Sequence, residues 1–123
     1  MKKKTILVVE DEKGMRESLQ EILESSGYAV VPAEDGEEAI ELIGKQKIDL
    51  VLLDIILPRK DGFEVLKELK GDEKTKEIPV VLATNLSDPK DIQKALDYGA
   101  TTYLVKSNYS LEDIVAKVSE VIG

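Results

Sequence analysis

Three acids, one lysine and one threonine stand where they could do chemistry together. Glu10 and Asp11 follow a short apolar run, Asp54 follows another, Lys106 follows a third, and Thr84 follows a fourth. If the first and third runs are neighbouring strands, about 4.8 Å apart, Glu10, Asp11 and Asp54 share one small volume. Two unit charges about 4 Å apart repel by roughly 4 kcal/mol at an effective dielectric of about 20. Three carboxylates so placed must be protonated, spread apart or matched by a cation. An all-oxygen, carboxylate-rich donor set selects a hard divalent ion, Mg²⁺ first with Mn²⁺ as the alternative. Lys106 offers one fixed positive charge and Thr84 one hydroxyl. The combination suits phosphoryl chemistry: a carboxylate attacks phosphorus, a metal bridges carboxylate and phosphoryl oxygens, and Lys and Thr hold the other oxygens.

Composition removes most competing chemistries. The 123 residues contain no Cys and no His, which excludes Cys/His zinc sites, thiol redox chemistry, a histidine general base and a Ser-His-Asp triad. There are 17 Lys+Arg against 25 Asp+Glu, a net charge of −8. That acidity argues against nucleic acid as a direct partner. The apolar run after Lys2-Lys3-Lys4 extends only from Ile6 to Val9, too short for a signal peptide or a membrane helix. A cytoplasmic protein with no membrane association is the resulting expectation, with the lysines a solvated flank.

The elements that must position these residues alternate along the chain. Apolar, β-branched runs at Thr5–Val9, Tyr28–Val31, Leu50–Leu53, Pro79–Ala83 and Thr102–Val105 read as strands buried on both faces. Between them the spacing turns helical: Met15, Leu19, Ile22 and Leu23 in the first segment, and Leu111, Ile114, Val115, Val118 and Ile122 in the last. Asp88-Pro89 and Ser110 with Asp113 read as helix starts, Gly27 and Gly99 as helix stops, and Gly71 to Lys74 as a polar loop. Five βα units in one domain over residues 1–123 predict an open, doubly wound parallel sheet with helices on both faces. In such sheets ligands bind beyond the carboxyl ends of the strands, at the switch point in strand order. Glu10, Asp11, Asp54, Thr84 and Lys106 all fall at those ends.

In this arrangement the sequence closely resembles the CheY-like receiver domain of two-component response regulators. The landmarks appear in order over essentially the whole chain: Val8-Val9-Glu10-Asp11-Glu12, Leu52-Leu53-Asp54, Leu57-Pro58 with Asp61-Gly62, Ile78-Pro79-Val80-Val81 leading to Thr84, Gly99-Ala100, and Tyr103-Leu104-Val105-Lys106. The resemblance implies a flavodoxin-like (βα)5 fold with strand order 2-1-3-4-5. It implies Asp54 as phosphoacceptor and Asp11 as direct Mg²⁺ ligand. Glu10 would act through water, and the backbone carbonyl of Ile56 would complete the protein ligands. Thr84 and Lys106 would bind the phosphoryl group, and Tyr103 would be an aromatic switch whose rotamer follows Thr84. The implied partners are a sensor histidine kinase or phosphotransfer protein upstream and a protein target downstream, reading the surface of the fourth helix, fifth strand and fifth helix. No output segment follows Gly123, so a stand-alone receiver, or one cut from a longer protein, is expected.

The sequence departs from the family pattern at three places. Asn85 replaces a small residue after Thr84, and either crowds the phosphoryl pocket or donates to it. Ser107 replaces the usual cis-proline after the lysine, so the loop either stores strain or is trans. Ile56 and Leu86, which flank the path of attacking water in the family, are both apolar; slow self-dephosphorylation follows.

Blander roles are expected elsewhere: Glu12 as the acid starting the first helix, Asp49 and Asp61 as boundary residues, Asp35-Gly36 with Glu37 and Glu38 as a loop and acidic helix start, and Tyr98 and Tyr109 as packing or loop residues. Three other functions compete with this reading. A phosphorylation-independent binding module would leave the full site unexplained. A phosphohydrolase would want a second acid where Ile56 stands. A flavodoxin-like carrier would repel its anionic cofactor at the acidic loop after the first strand.

Overall fold

The computed structural model describes residues 3–122. Lys3 and Lys4 are exposed, as a solvated flank requires, and Lys2 lies outside the described residues. The elements alternate without interruption: β1 (Thr5–Val9), α1 (Lys13–Ser25), β2 (Ala29–Ala33), α2 (Gly36–Lys45), β3 (Leu50–Leu53), α3 (Gly62–Gly71), β4 (Val80–Thr84), α4 (Pro89–Asp97), β5 (Thr102–Val105) and α5 (Leu111–Ile122), with a 3₁₀ turn at Lys106–Asn108. All strand pairs are parallel and the order is β2-β1-β3-β4-β5, the flavodoxin-like order expected. None of the described helices is long and apolar enough to cross a membrane.

Strand residues alternate between two cores because successive side chains point to opposite faces. Leu7, Val9, Val51, Leu53 and Leu82 pack with Ala39, Val65, Leu66, Leu69 and Ala95, which places α2, α3 and α4 on one face. Ile6, Val8, Leu50, Leu52, Val81, Ala83 and Leu104 pack with Leu19, Leu23, Ile114 and Val118, which places α1 and α5 on the other. Every residue of β3 and β4 is buried, while the edge strands β2 and β5 are only partly covered. Continuous apolarity in the middle of the sheet therefore reports burial on both faces.

Two strands differ from expectation at both ends. β2 starts at Ala29 and runs through Pro32 to Ala33 rather than stopping at Val31. It is an edge strand, where a residue without an N–H is tolerated. β4 starts at Val80 and includes Thr84, which pairs with Val105. Gly71 ends α3 instead of opening a loop. The helix punctuation otherwise agrees. Asp88 accepts from the Lys90 amide with Pro89 at the first helical position. Ser110 and Asp113 exchange backbone-to-side-chain hydrogen bonds, each 3.1 Å long. Gly27 and Gly99 have φ of 98° and 102° just past α1 and α4.

Candidate functional site

Parallel pairing sets the site. Val9 of β1 is in register with Leu53 of β3, so the next residues, Glu10 and Asp54, emerge side by side. Their amides continue the sheet: Glu10 N–H donates to the Ala33 carbonyl and Asp54 N–H to the Val9 carbonyl, each at 3.1 Å. Carboxylate oxygens of Glu10, Asp11 and Asp54 lie within 4.8 Å of one another. Glu10 and Asp54 are buried, and Asp11 is exposed at the mouth.

Lys106 reaches this cluster from the far side of β4. Its ammonium donates to Glu10 Oε1 and, at 2.7 Å, to Asp54 Oδ2. Burial alone would lower the lysine pKa, but these hydrogen bonds, first to Asp54 and then to Glu10, hold it above the ordinary value. Burial raises the pKa of Glu10 despite the lysine and the Glu12 amide, which both favour its charge. One ammonium faces three carboxylates, so negative charge remains uncompensated.

The donor set fits a hard divalent cation: all oxygen, clustered, and open at Asp11. The two oxygens of Glu10 are already engaged, Oε1 by Lys106 and Oε2 by the Glu12 amide at 3.1 Å. Both Glu10 oxygens therefore already have hydrogen-bond partners. Asp54 Oδ1 accepts from the Ile56 amide at 3.1 Å, and the Ile56 side chain is 55% exposed at the rim.

Thr84 is fully buried at the end of β4. Its hydroxyl oxygen accepts from the Leu86 amide at 3.4 Å, and the Tyr103 phenol donates to the Leu86 carbonyl at 2.7 Å. One peptide segment thus connects the two residues expected to switch together. Burial, then the charges of Asp91 and Asp54, push the Tyr103 phenol up to about 12. Asn85 is exposed, and so is Ser107 within the 3₁₀ turn; no cis peptide bond occurs among the described residues, so the Lys106–Ser107 bond is trans.

The other expected roles also have definite places. Glu12 caps α1 through its side chain, Asp61 forms a reciprocal capping box with Glu64, and Asp35 caps α2. Asp49 accepts from the Thr5 amide at 2.8 Å, fastening the start of β1. Tyr98 meets Phe63 edge-on with Lys94 over both rings, and Tyr109 is exposed.

Sequence reasoning missed Arg16 and the role of Gly62. Arg16 donates to the carbonyls of Glu10 at 2.8 Å and Asp11 at 3.3 Å, tying the acidic loop to α1. Its position in the first helical turn, five residues past Asp11, was the available signal. A Cβ at residue 62 would fall 2.4 Å from the Asp54 carbonyl oxygen, so only glycine lets α3 begin this close to the phosphoacceptor candidate.

These features define an open, doubly wound α/β domain with a carboxylate–lysine pocket at the carboxyl ends of its strands. The family model of the response regulator receiver domain matches residues 6–119, and the chain belongs to that family, the receivers of two-component signalling. The response regulator MprA of Mycolicibacterium vanbaalenii is 39% identical over 92% of this chain and 48% of its own length. The chain spans about half the length of the curated relatives it matches. Among solved structures, the chemotaxis protein CheY4 of Vibrio cholerae superposes with a TM-score of 0.90 at 28% identity, covering 98% of this chain and 99% of that one. The Mn²⁺-bound form of response regulator Rcp1 superposes with a TM-score of 0.82 at 34% identity, covering 96% and 91%.

Proposed function

We propose that residues 1–123 act as a single receiver domain that accepts a phosphoryl group on Asp54 from a phosphohistidine-bearing kinase or phosphotransfer protein. The reading is carried by one observation: Asp54, Lys106 and two further acids converge at the switch point of the sheet. An Asp54 carboxylate oxygen attacks phosphorus, the P–N bond of the phosphohistidine breaks, and the electron pair leaves with the imidazole. The product is an acyl phosphate on Asp54. These 123 residues contain no histidine, so a phosphohistidine donor lies outside them.

Asp11 and Asp54 would hold Mg²⁺ directly, with Glu10 through water and the Ile56 carbonyl as the remaining protein ligand. Mn²⁺ suits the same oxygens. When bound, the cation offsets the clustered negative charge and polarises the phosphoryl oxygens. Lys106 exchanges its carboxylate partners for a phosphoryl oxygen. Thr84 turns its hydroxyl toward the new phosphate and releases the Leu86 amide, and Tyr103 follows because it holds the same segment. That biases a two-state surface on α4, β5 and α5, read by a downstream protein. Hydrolysis of the acyl phosphate is slow, because Ile56 and Leu86 offer no polar group to orient water.

A net charge of −8 disfavours direct contact with DNA. Relatives about twice as long include probable transcriptional regulators; in a longer chain of that kind, a further domain would be the one to bind nucleic acid. A cytoplasmic location fits a kinase donor. Incubation with acetyl phosphate and Mg²⁺ tests the chemistry: a hydroxylamine-labile phosphoryl adduct is expected, and a hydroxylamine-stable adduct or none contradicts it.

A further inference from the structure

The loop from Ile55 to Asp61, between β3 and α3, contains a strained turn held against α2. Arg59 has φ of 65° and is the one non-glycine residue with positive φ among the described residues. The Lys60 amide donates to the Pro58 carbonyl at 2.8 Å, closing a three-residue turn around it. A turn of this kind with a positive central φ is rare and strained, and such strain persists only where the surroundings impose it.

Three contacts impose it here. Arg59 Nε and Nη2 donate to Asp35 Oδ2 at 3.0 and 2.5 Å. Asp35 is buried, and its other oxygen accepts from the Glu38 amide at 2.8 Å at the start of α2. The backbones then meet so closely that a Cβ at residue 36 would fall 2.0 Å from the Lys60 carbonyl oxygen. The loop is also fastened to the site itself. The Ile56 amide donates to Asp54 Oδ1, and the Gly62 amide donates to the Ile55 carbonyl at 2.8 Å.

We infer that the Asp35–Arg59 ion pair is a positioning clasp for the cation site. It fixes the loop against α2, so that the residue-56 peptide and the Asp54 carboxylate are already placed when the ion arrives. Neither Asp35 nor Arg59 is among the proposed ligands. The inference rests on the Mg²⁺-dependent reading of the site.

Calorimetric Mg²⁺ titration of the parent, Arg59→Gly, Arg59→Lys and Asp35→Asn tests it, with urea unfolding of each in EDTA. Arg59→Gly removes the clasp together with the left-handed penalty, so its urea midpoint should stay near that of the parent. Its Mg²⁺ dissociation constant should rise about tenfold, the usual effect of losing a residue that orients a metal ligand. Asp35→Asn should weaken Mg²⁺ binding similarly, the double variant no further, and Arg59→Lys should recover part. Parental Mg²⁺ affinity in a folded Arg59→Gly overturns the clasp alone. A parent that binds no Mg²⁺ overturns the reading beneath it as well.

Discussion

Lys106 and Asp54 meet across the end of an intervening strand, Nζ 2.7 Å from Oδ2, although they belong to the ends of β5 and β3. Two strand spacings separate those ends, about 10 Å, a gap that only a long side chain closes. The same ammonium holds buried Glu10. One cation thus holds two buried carboxylates together.

Lys106→Met should therefore be costly without metal. It leaves Glu10 and Asp54 buried without their cation, and breaking such a pair from one side loses about 3 kcal/mol. Urea unfolding in EDTA should show the loss. Excess Mg²⁺ should return more stability to the variant than it adds to the parent, because the ion replaces the missing charge. Equal Mg²⁺ increments in both proteins would contradict this.

Gly62→Ala should damage both fold and site. The added methyl lands 2.4 Å from the Asp54 carbonyl oxygen and 2.5 Å from the Ile55 Cα, backbone atoms that cannot rotate away. Overpacking of this kind costs about 2 kcal/mol. Urea unfolding should register it, and the rate of adduct formation from acetyl phosphate should fall.

Tyr103 supplies a pH dependence. Its folded pKa of about 12 lies above the ordinary 10.0. A group raised on folding stabilises fully below its unfolded pKa and loses that contribution as pH rises through the folded one. Spectrophotometric titration should show one phenol ionising near pH 12, absent in Tyr103→Phe. Losing the hydrogen bond to Leu86 should lower stability at neutral pH by about 1 kcal/mol. A Tyr103→Phe titration curve unchanged above pH 11 would contradict the assignment.

Ile56→Asn places a polar group at the exposed rim of the site. Orienting the attacking water should shorten the phosphoryl lifetime by about tenfold, read as decay of the adduct after removal of donor. An unchanged lifetime would show that the apolar rim is not what slows hydrolysis.

The sheet and the acid cluster were legible in the sequence because each rests on local pattern. Continuous apolar runs mark β1, β3 and β5 to the residue; the acids directly follow the first two, and Lys106 follows the third. β2 was cut short at Pro32 because a proline ends a strand in isolation; only its place at the sheet edge lets it continue. The clasp was illegible for a different reason. Asp35 and Arg59 are separated by 24 residues, and neither the loop path nor the turn at Arg59 carries a local signature. Arg16 and Gly62 act on backbone atoms of the site, which no pairing of residue types reveals.

Acceptance of a phosphoryl group by Asp54 with metal help is tested most directly by intact-mass measurement after incubation with acetyl phosphate and Mg²⁺. One phosphoryl adduct per chain is expected, lost in Asp54→Ala and lost when Mg²⁺ is chelated. No adduct in the parent, or an adduct that survives in Asp54→Ala, would contradict it.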